Sequence, residues 1–161
     1  MTAISPRVAS DLALASYDIK ENLVEGTKLE LNAETIKHFN FNLSKHVFKG
    51  TSGGFFWRQE TGFALIGEGK QDSALHKKDQ VLAFRGTAST ADAVTDITCN
   101  CTNNDNGHAV HTGFQRSFAS IRPALFDYFN QVNIRRQSGI VHCVGHSLGA
   151  GLATLAADWI K

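Results

Sequence analysis

Residues 139–160 read GIVHCVGHSLGAGLATLAADWI and predict a strand, a sharp turn and a helix in direct succession. The apolar run at 139–144 is typical of a buried strand. Gly145 and Gly149 flank Ser147 at the turn, where a Cβ atom would crowd the backbone. The closing helix has an apolar face at helical spacing, formed by Leu148, Leu152, Leu155 and Trp159.

The turn fits the pattern G-x-S-x-G, which has a chemical meaning when a strand precedes it and a helix follows it. That geometry lifts the serine hydroxyl clear of the backbone, so that the serine can act as a nucleophile. The helix N-terminus then directs free N–H groups at the oxyanion that develops during acyl transfer. The sequence therefore makes Ser147 a candidate nucleophile, and the alternative is a serine that only caps a buried helix.

Further motifs lie upstream in a fixed order: LAFRGTAS at 82–89, Asp92 and Asp96, and VHTGF at 110–114. Together with VGHSLGAGLA at 144–153, they resemble the class 3 lipases, the fungal triacylglycerol lipases and their bacterial and plant relatives. The resemblance covers about residues 80–160. It implies an α/β-hydrolase-type fold, with a mostly parallel sheet and flanking helices. It also implies a serine carboxylic-ester hydrolase of lipase or phospholipase type that acts on lipid esters.

The resemblance assigns roles to individual residues. Ser147 would form an acyl-enzyme, and the oxyanion would be bound by the backbone N–H of Leu148 and by Thr87. Thr87 could instead be a turn residue that caps a short helix. Arg85 and Asp96 would be structural. Segment 88–101 matches the region where many of these lipases carry a lid, but it is short and polar, unlike an apolar lid that opens at a lipid surface. The nucleophile elbow would consist of Gly145, His146 and Gly149.

A complete catalytic triad is missing from the sequence. After Ser147 the chain holds one acid, Asp158, and no histidine. Asp158 is eleven residues along the predicted helix, about 16 Å from its start, which excludes it as the triad acid. His111 is nearest in the family arrangement but resembles a structural residue there. The other histidines are expected to point away from the serine (His146), to pack between sheet and helix (His142), or to fall in loops or on helix surfaces (His38, His46, His76 and His108).

The sequence therefore predicts that residues 1–161 are the N-terminal portion of a single α/β-hydrolase domain, incomplete at its C-terminus. The chain alone is expected to be inactive, with the triad acid and base outside it. The alternative is a catalytically incomplete fragment that binds a partner protein through an exposed sheet edge. That partner would be the missing C-terminal part or an inhibitor.

The composition narrows the other possibilities. The chain has 161 residues, 42% of them apolar, and a formal net charge of +1, so the sequence predicts one globular domain and no nucleic-acid partner. It predicts no transmembrane segment and no standard signal peptide. We therefore expect cytoplasmic synthesis. The alternative is export by a dedicated machine, for instance as an antibacterial lipase toxin. Three cysteines without paired metal-ligand spacing favour free thiols, no metal and no cofactor.

Local patterns predict the remaining elements. Ser5-Pro6 opens an amphipathic helix whose apolar pattern continues to Leu23, and Glu60-Thr61-Gly62 suggests a hairpin turn. A helix is expected from Phe114 to about Val132 despite Pro123. Further predictions are short helices at 33–39 and 91–97, strands at 80–84 and 108–111, and a turn at 102–107.

Overall fold

The computed structural model describes residues 2–19, 39–52, 59–86, 100–131 and 139–161, with the side chains of 45–46, 52 and 59–62 excepted. The helices are α1 (Pro6–Ala15), α2 (Thr112–Gln131) and α3 (Leu148–Ile160), and a 3-10 turn (Ser16–Asp18) follows α1. The strands are β1 (Phe41–Ser52), β2 (Gln59–Gly69), β3 (Gln80–Phe84), β4 (Cys101–Asn103), β5 (Ala109–His111) and β6 (Val141–Gly145).

The main sheet has the strand order β1-β2-β3-β6, and β4 and β5 form a separate two-stranded ribbon. β3 and β6 pair in parallel, with Leu82 opposite Cys143. β1, β2 and β3 pair in antiparallel fashion. Parallel pairing is thus rarer among the described strands than expected, because consecutive strands joined by short connections run antiparallel. A parallel pair needs a long crossover, which here runs from β3 to β6 and contains α2.

Helices cover both faces of the sheet, which confirms the α/β class. All five residues of β3 are buried, and their side chains alternate between the two faces. The α1 face packs Leu12 against Phe41, Val81, Ala83 and Val144. The opposite face packs residues of α2 and α3 against the sheet, including Ile121, Leu125 and Leu152 against Phe48, Ile66, Leu82 and Phe84.

The first helix is shorter than its apolar pattern suggests. The Ser5 hydroxyl accepts a hydrogen bond from the Val8 N–H at 3.3 Å, and Pro6 occupies the first turn, as expected for a helix start. After Ala15 the chain tightens into the 3-10 turn, where the Ser16 hydroxyl donates to the Ala13 carbonyl at 2.6 Å. The predicted helices at 33–39 and 91–97 lie outside the described residues, apart from Phe39.

The hairpin turn predicted at Glu60-Thr61-Gly62 is wrong. Thr61 and Gly62 lie inside β2, opposite Gly50 and Lys49 of β1. The register shifts beside this pair, where Phe48 faces Ala64 and Phe63 is the extra residue. The glycine therefore lies inside the strand next to a β-bulge, which is a common position for a glycine in a strand.

The long helix predicted through Pro123 is confirmed as α2, which is continuous from Thr112 to Gln131. Pro123 and Ala119 are both exposed, so water can hydrate the Ala119 carbonyl that proline leaves without an intrahelical donor. None of the described helices is both long and apolar enough to cross a bilayer.

Candidate active site

Ser147 lies on the sharp turn between β6 and α3. It has φ 56° and ψ −127°, and it is the only non-glycine residue with positive φ in the described part of the chain. Such a conformation costs on the order of 1–3 kcal/mol and persists only where the surroundings impose it. The turn therefore has the strained strand-to-helix geometry that the sequence predicts.

Two glycines permit this turn because other backbone atoms approach them closely. A Cβ atom on Gly149 would come closer than 3.0 Å to the Phe84 carbonyl oxygen and to the Arg85 carbonyl carbon. A Cβ atom on Gly145 would collide with the carbonyl group of Gly149. The first turn of α3 thus rests directly on the end of β3.

The Ser147 hydroxyl is open to solvent and has no hydrogen-bond partner among the described residues. The Ala150 N–H donates to the Ser147 carbonyl at 2.9 Å, and the Gly149 N–H donates to the His146 carbonyl at 3.0 Å. Leu148 is the first residue of α3, where a helix N–H has no intrahelical acceptor. Its N–H is therefore the group that can bind an anion beside the serine.

Thr87, the second expected oxyanion donor, lies outside the described residues, and its role stays a prediction. The residue before it, Gly86, lies beside the elbow. A Cβ atom on Gly86 would come within 2.7 Å of the His146 carbonyl oxygen and would also contact the Tyr17 hydroxyl. Arg85 is buried, with 4% of its surface exposed, which agrees with a structural position.

His146 is held by a residue from the N-terminal segment. The Tyr17 hydroxyl lies 3.0 Å from the His146 Nδ1 atom, and the two ring centroids are 6.1 Å apart. Tyr17 follows α1, so this contact joins the two ends of the described chain. Nothing in the sequence around Tyr17 indicates it, because the two residues are 129 positions apart.

His76 and His142 share one carboxylate far from the serine. The Asp79 Oδ2 atom lies 2.7 Å from His76 Nδ1 and 3.1 Å from His142 Nε2. His76 lies in a turn, as predicted, and its ring is buried. The His142 ring packs against the rings of Phe41 and His76. The prediction that His46 falls in a loop or on a helix is wrong, because it belongs to β1.

Burial raises the pKa of Asp79, but hydrogen bonds outweigh that effect. The Ile140 N–H donates to Asp79 Oδ1 at 2.9 Å, and the two imidazoles bond to Oδ2. The net pKa lies below the ordinary value of 3.8, so this buried carboxylate is ionised at neutral pH.

The only acid after Ser147, Asp158, forms hydrogen bonds with the loop between β4 and β5. The Asp158 carboxylate accepts hydrogen bonds from the Asn104 and Asn106 side-chain amides at 2.8 and 3.0 Å, and His108 Nδ1 lies 3.1 Å from it. Hydrogen bonds from Asn106, His108 and Asn104 lower the pKa of Asp158 to about 2. Asp158 therefore ties the loop between β4 and β5 to α3.

His111 contacts residues close to it in sequence. Its Nδ1 atom accepts a hydrogen bond from the Gly113 N–H at 3.1 Å, and its ring lies 5.1 Å from that of Phe114. The Phe114 ring packs so closely on α3 that a Cβ atom on Gly151 would lie 2.9 Å from it. This arrangement agrees with a structural role for His111.

A groove of about 780 Å³ runs along β6 between α1 and α3. Its lining residues include Ala13, Leu14, Cys143, His146 and Ala153. Cys101 and Cys143 are free, and burial raises the pKa of Cys143 to about 12. β6 is the last strand in the described sheet, so the groove follows an edge without a strand partner among the described residues.

A sheet with helices on both faces, and a strained serine between a parallel strand and a helix, define the α/β-hydrolase class. Solved lipase structures have the same fold. A triacylglycerol lipase with a serine protease triad superposes with a TM-score of 0.63 at 19% identity, covering 99% of this chain and 57% of that one. Rhizomucor miehei triacylglyceride lipase gives 0.59 at 18% identity, with the same coverage.

The sequence comparison identifies the family. The family model described as Lipase (class 3) matches residues 81–161, and the chain belongs to the class 3 lipase family. The secreted mono- and diacylglycerol lipase A of Penicillium cyclopium is 38% identical over 83 residues. That match covers 50% of this chain and 27% of the fungal protein, so the chain spans about a quarter of the length of this relative.

Proposed function

We propose that this protein belongs to an enzyme that hydrolyses carboxylic esters of lipids, of lipase or phospholipase type, through an acyl-enzyme on Ser147. The observation that carries the proposal is the Ser147 backbone, held at φ 56° with an exposed hydroxyl at the start of α3. The names of the relatives supply the substrate class, since they act on monoacyl-, diacyl- and triacylglycerols.

The chemistry follows from the positions of these atoms. The Ser147 oxygen attacks the ester carbonyl while a base takes its proton, and the carbonyl oxygen becomes an oxyanion. The Leu148 N–H and Thr87 would donate hydrogen bonds to that oxyanion. Collapse of the intermediate expels the alcohol, which takes the proton, and water then releases the fatty acid from Ser147. Loss of one oxyanion donor lowers kcat by about 10²- to 10³-fold in comparable enzymes.

The proposal includes a base and an acid that come from outside residues 1–161. All five histidines with described side chains have other contacts: His76 and His142 with Asp79, His108 with Asp158, His111 with Gly113, and His146 with Tyr17. The chain also covers only 57% of the Rhizomucor miehei lipase. On this proposal the 161-residue chain alone hydrolyses esters no faster than its Ser147→Ala variant.

The decisive experiment uses a fluorophosphonate probe and mass spectrometry on the product of the reading frame extended past Lys161. The proposal expects one adduct, on Ser147, together with hydrolysis of a short-chain nitrophenyl ester. The Ser147→Ala variant should lose both signals, whereas the exposed serine variant Ser10→Ala should keep them. Labelling that persists in Ser147→Ala would contradict the nucleophile assignment.

A second candidate function is protein binding through the free edge of β6. The favouring observation is the groove along that strand, which is lined mainly by small apolar residues of α1 and α3. An extended segment of a partner could pair with β6 and fill this groove. An Asp and a later His encoded downstream of Lys161 would support the enzyme. A stop codon at that position would favour the binding function.

A further inference from the structure

His76, Asp79 and His142 form a compact cluster at the opposite end of β6 from Ser147. His142 is the second residue of β6, and Ser147 follows the end of the strand. The five intervening steps correspond to roughly 16 Å at the rise of a strand. The cluster therefore cannot contact an ester bound at the serine, and its role is independent of the proposed hydrolase activity.

Three metal-ligating atoms converge in this cluster. Asp79 Oδ2 lies 2.7 Å from His76 Nδ1 and 3.1 Å from His142 Nε2, and the three side chains are buried. The ring of Phe41 lies 5.6 Å from the His76 ring and 5.9 Å from the His142 ring. The two imidazoles meet edge to face at 5.5 Å. The packing thus fixes both ring planes with one nitrogen directed at the carboxylate.

A second layer of hydrogen bonds holds the ligating groups in place. The Ile140 N–H donates to Asp79 Oδ1, which leaves Oδ2 for the two rings. The His76 N–H donates to the Ser73 hydroxyl at 3.1 Å, and the Asp79 N–H donates to the His76 carbonyl at 3.0 Å. Such outer contacts are the ones that orient ligands in protein metal sites.

We propose that His76 Nδ1, Asp79 Oδ2 and His142 Nε2 bind one divalent transition-metal ion, with zinc as the ion that this donor set suits best. Bonds of about 2.1 Å at tetrahedral angles place ligand atoms roughly 3.4 Å apart. The two oxygen–nitrogen distances therefore need to open by less than an ångström, and all three ligand atoms already lie within 4.8 Å of one another. Two imidazoles and one carboxylate match zinc and similar ions, whereas Mg²⁺ and Ca²⁺ prefer oxygen ligands.

The protons of the two imidazoles allow their hydrogen bonds to Asp79 to be replaced by bonds to the ion. In the metal-free protein Asp79 Oδ2 accepts hydrogen bonds from the facing N–H group of each ring. With the ion bound, the facing nitrogen supplies its lone pair instead, and the proton of each ring moves to the other ring nitrogen. The ion would link the turn before β3 to the start of β6, so its effect is on stability rather than on ester cleavage.

The test is a titration of the metal-free chain with Co²⁺ and Zn²⁺. We expect one Co²⁺ per chain with strong visible absorption, displacement by Zn²⁺, and a rise in Tm of about 5 °C at zinc concentrations a hundredfold above Kd. X-ray absorption at the zinc edge should show two imidazoles and no sulfur. Absence of stoichiometric binding, or a sulfur ligand, overturns the proposal.

Matched variants locate the site. In His142→Gln the amide can still donate to Asp79, but one imidazole is lost, so affinity should fall at least about 100-fold. His108→Gln removes the exposed histidine that also faces a carboxylate, and it should bind zinc like the wild type. The reverse result for the two variants overturns the proposal. If His142→Gln does not fold, the zinc-edge spectrum of the wild type decides: two imidazoles without sulfur support the proposed site, and a sulfur ligand overturns it.

Discussion

The Tyr17 hydroxyl lies 3.0 Å from His146 Nδ1, so the segment after α1 contacts the residue next to Ser147. Both side chains are at least partly exposed. The contact links the N-terminal helix to the turn that carries the candidate nucleophile, although the two residues are remote in sequence.

Loss of this contact should have a small, specific effect on stability. Tyr17→Phe removes one partly exposed hydrogen bond, so we expect the free energy of unfolding to fall by about 0.5–1 kcal/mol. Urea denaturation measures it. In a His146→Phe background the same substitution should change nothing, and an equal loss in both backgrounds would show that the hydrogen bond contributes nothing.

Backbone strain at Ser147 should be measurable without any substrate. Glycine tolerates φ 56° better than alanine does. The free energy of unfolding of Ser147→Gly should therefore be about 1 kcal/mol higher than that of Ser147→Ala. Both variants lack the hydroxyl, so their difference isolates the backbone conformation. Equal stabilities would argue against a strained turn.

The close approach of α3 to β3 predicts a larger loss at Gly149. A methyl group there meets the backbone of Phe84 and Arg85, which cannot rotate away, so Gly149→Ala should cost about 1–3 kcal/mol or more. Gly151→Ala is the matched control on the same helix. Its methyl group meets only the Phe114 side chain, which can shift, and a larger effect at Gly151 would contradict the packing described above.

Asp158 predicts a pH dependence of stability. Its folded pKa of about 2 lies below the ordinary 3.8, because Asn106, His108 and Asn104 bond to the charged form. The ionised carboxylate therefore stabilises the fold above about pH 4, and this contribution decreases as the pH falls towards 2.

The measurement compares urea midpoints of the wild type and Asp158→Asn between pH 6 and pH 2.5. The wild type should be more stable at pH 6, and the difference should shrink through the acid range. Asp72→Asn, at an exposed position, is the control and should show no such trend. A difference that grows on acidification would reverse the assigned direction of the Asp158 pKa.

Elements with strong local signals were predictable from the sequence. The apolar run of β3, the helical repeat of α2 and the β6–α3 stretch all follow from neighbouring residues, and their bounds agree to within a few positions. The elbow was predictable for the same reason, since its glycines and its serine are adjacent in sequence.

The remaining features depend on distant partners. Gly62 signals a turn when read alone, and only pairing with β1 makes it part of a bulge. His76 and His142 are not part of one sequence motif, and only the parallel pairing of β3 and β6 brings them together. Nothing near Asp158 in sequence indicates its hydrogen-bond partners, which lie in the loop at 104–108. In each case tertiary contacts override the local pattern.

The parallel pairing of β3 and β6 also has a consequence for the order of folding. Asp79 and Ile140 bond across 61 positions of sequence, so this pairing needs a costly loop closure and is expected to form late. Until then Gly149 has no Phe84 backbone to rest on, and nothing holds Ser147 at positive φ. A nascent or partly unfolded chain would therefore carry a relaxed, ordinary serine at position 147, and the elbow would form only with the completed core.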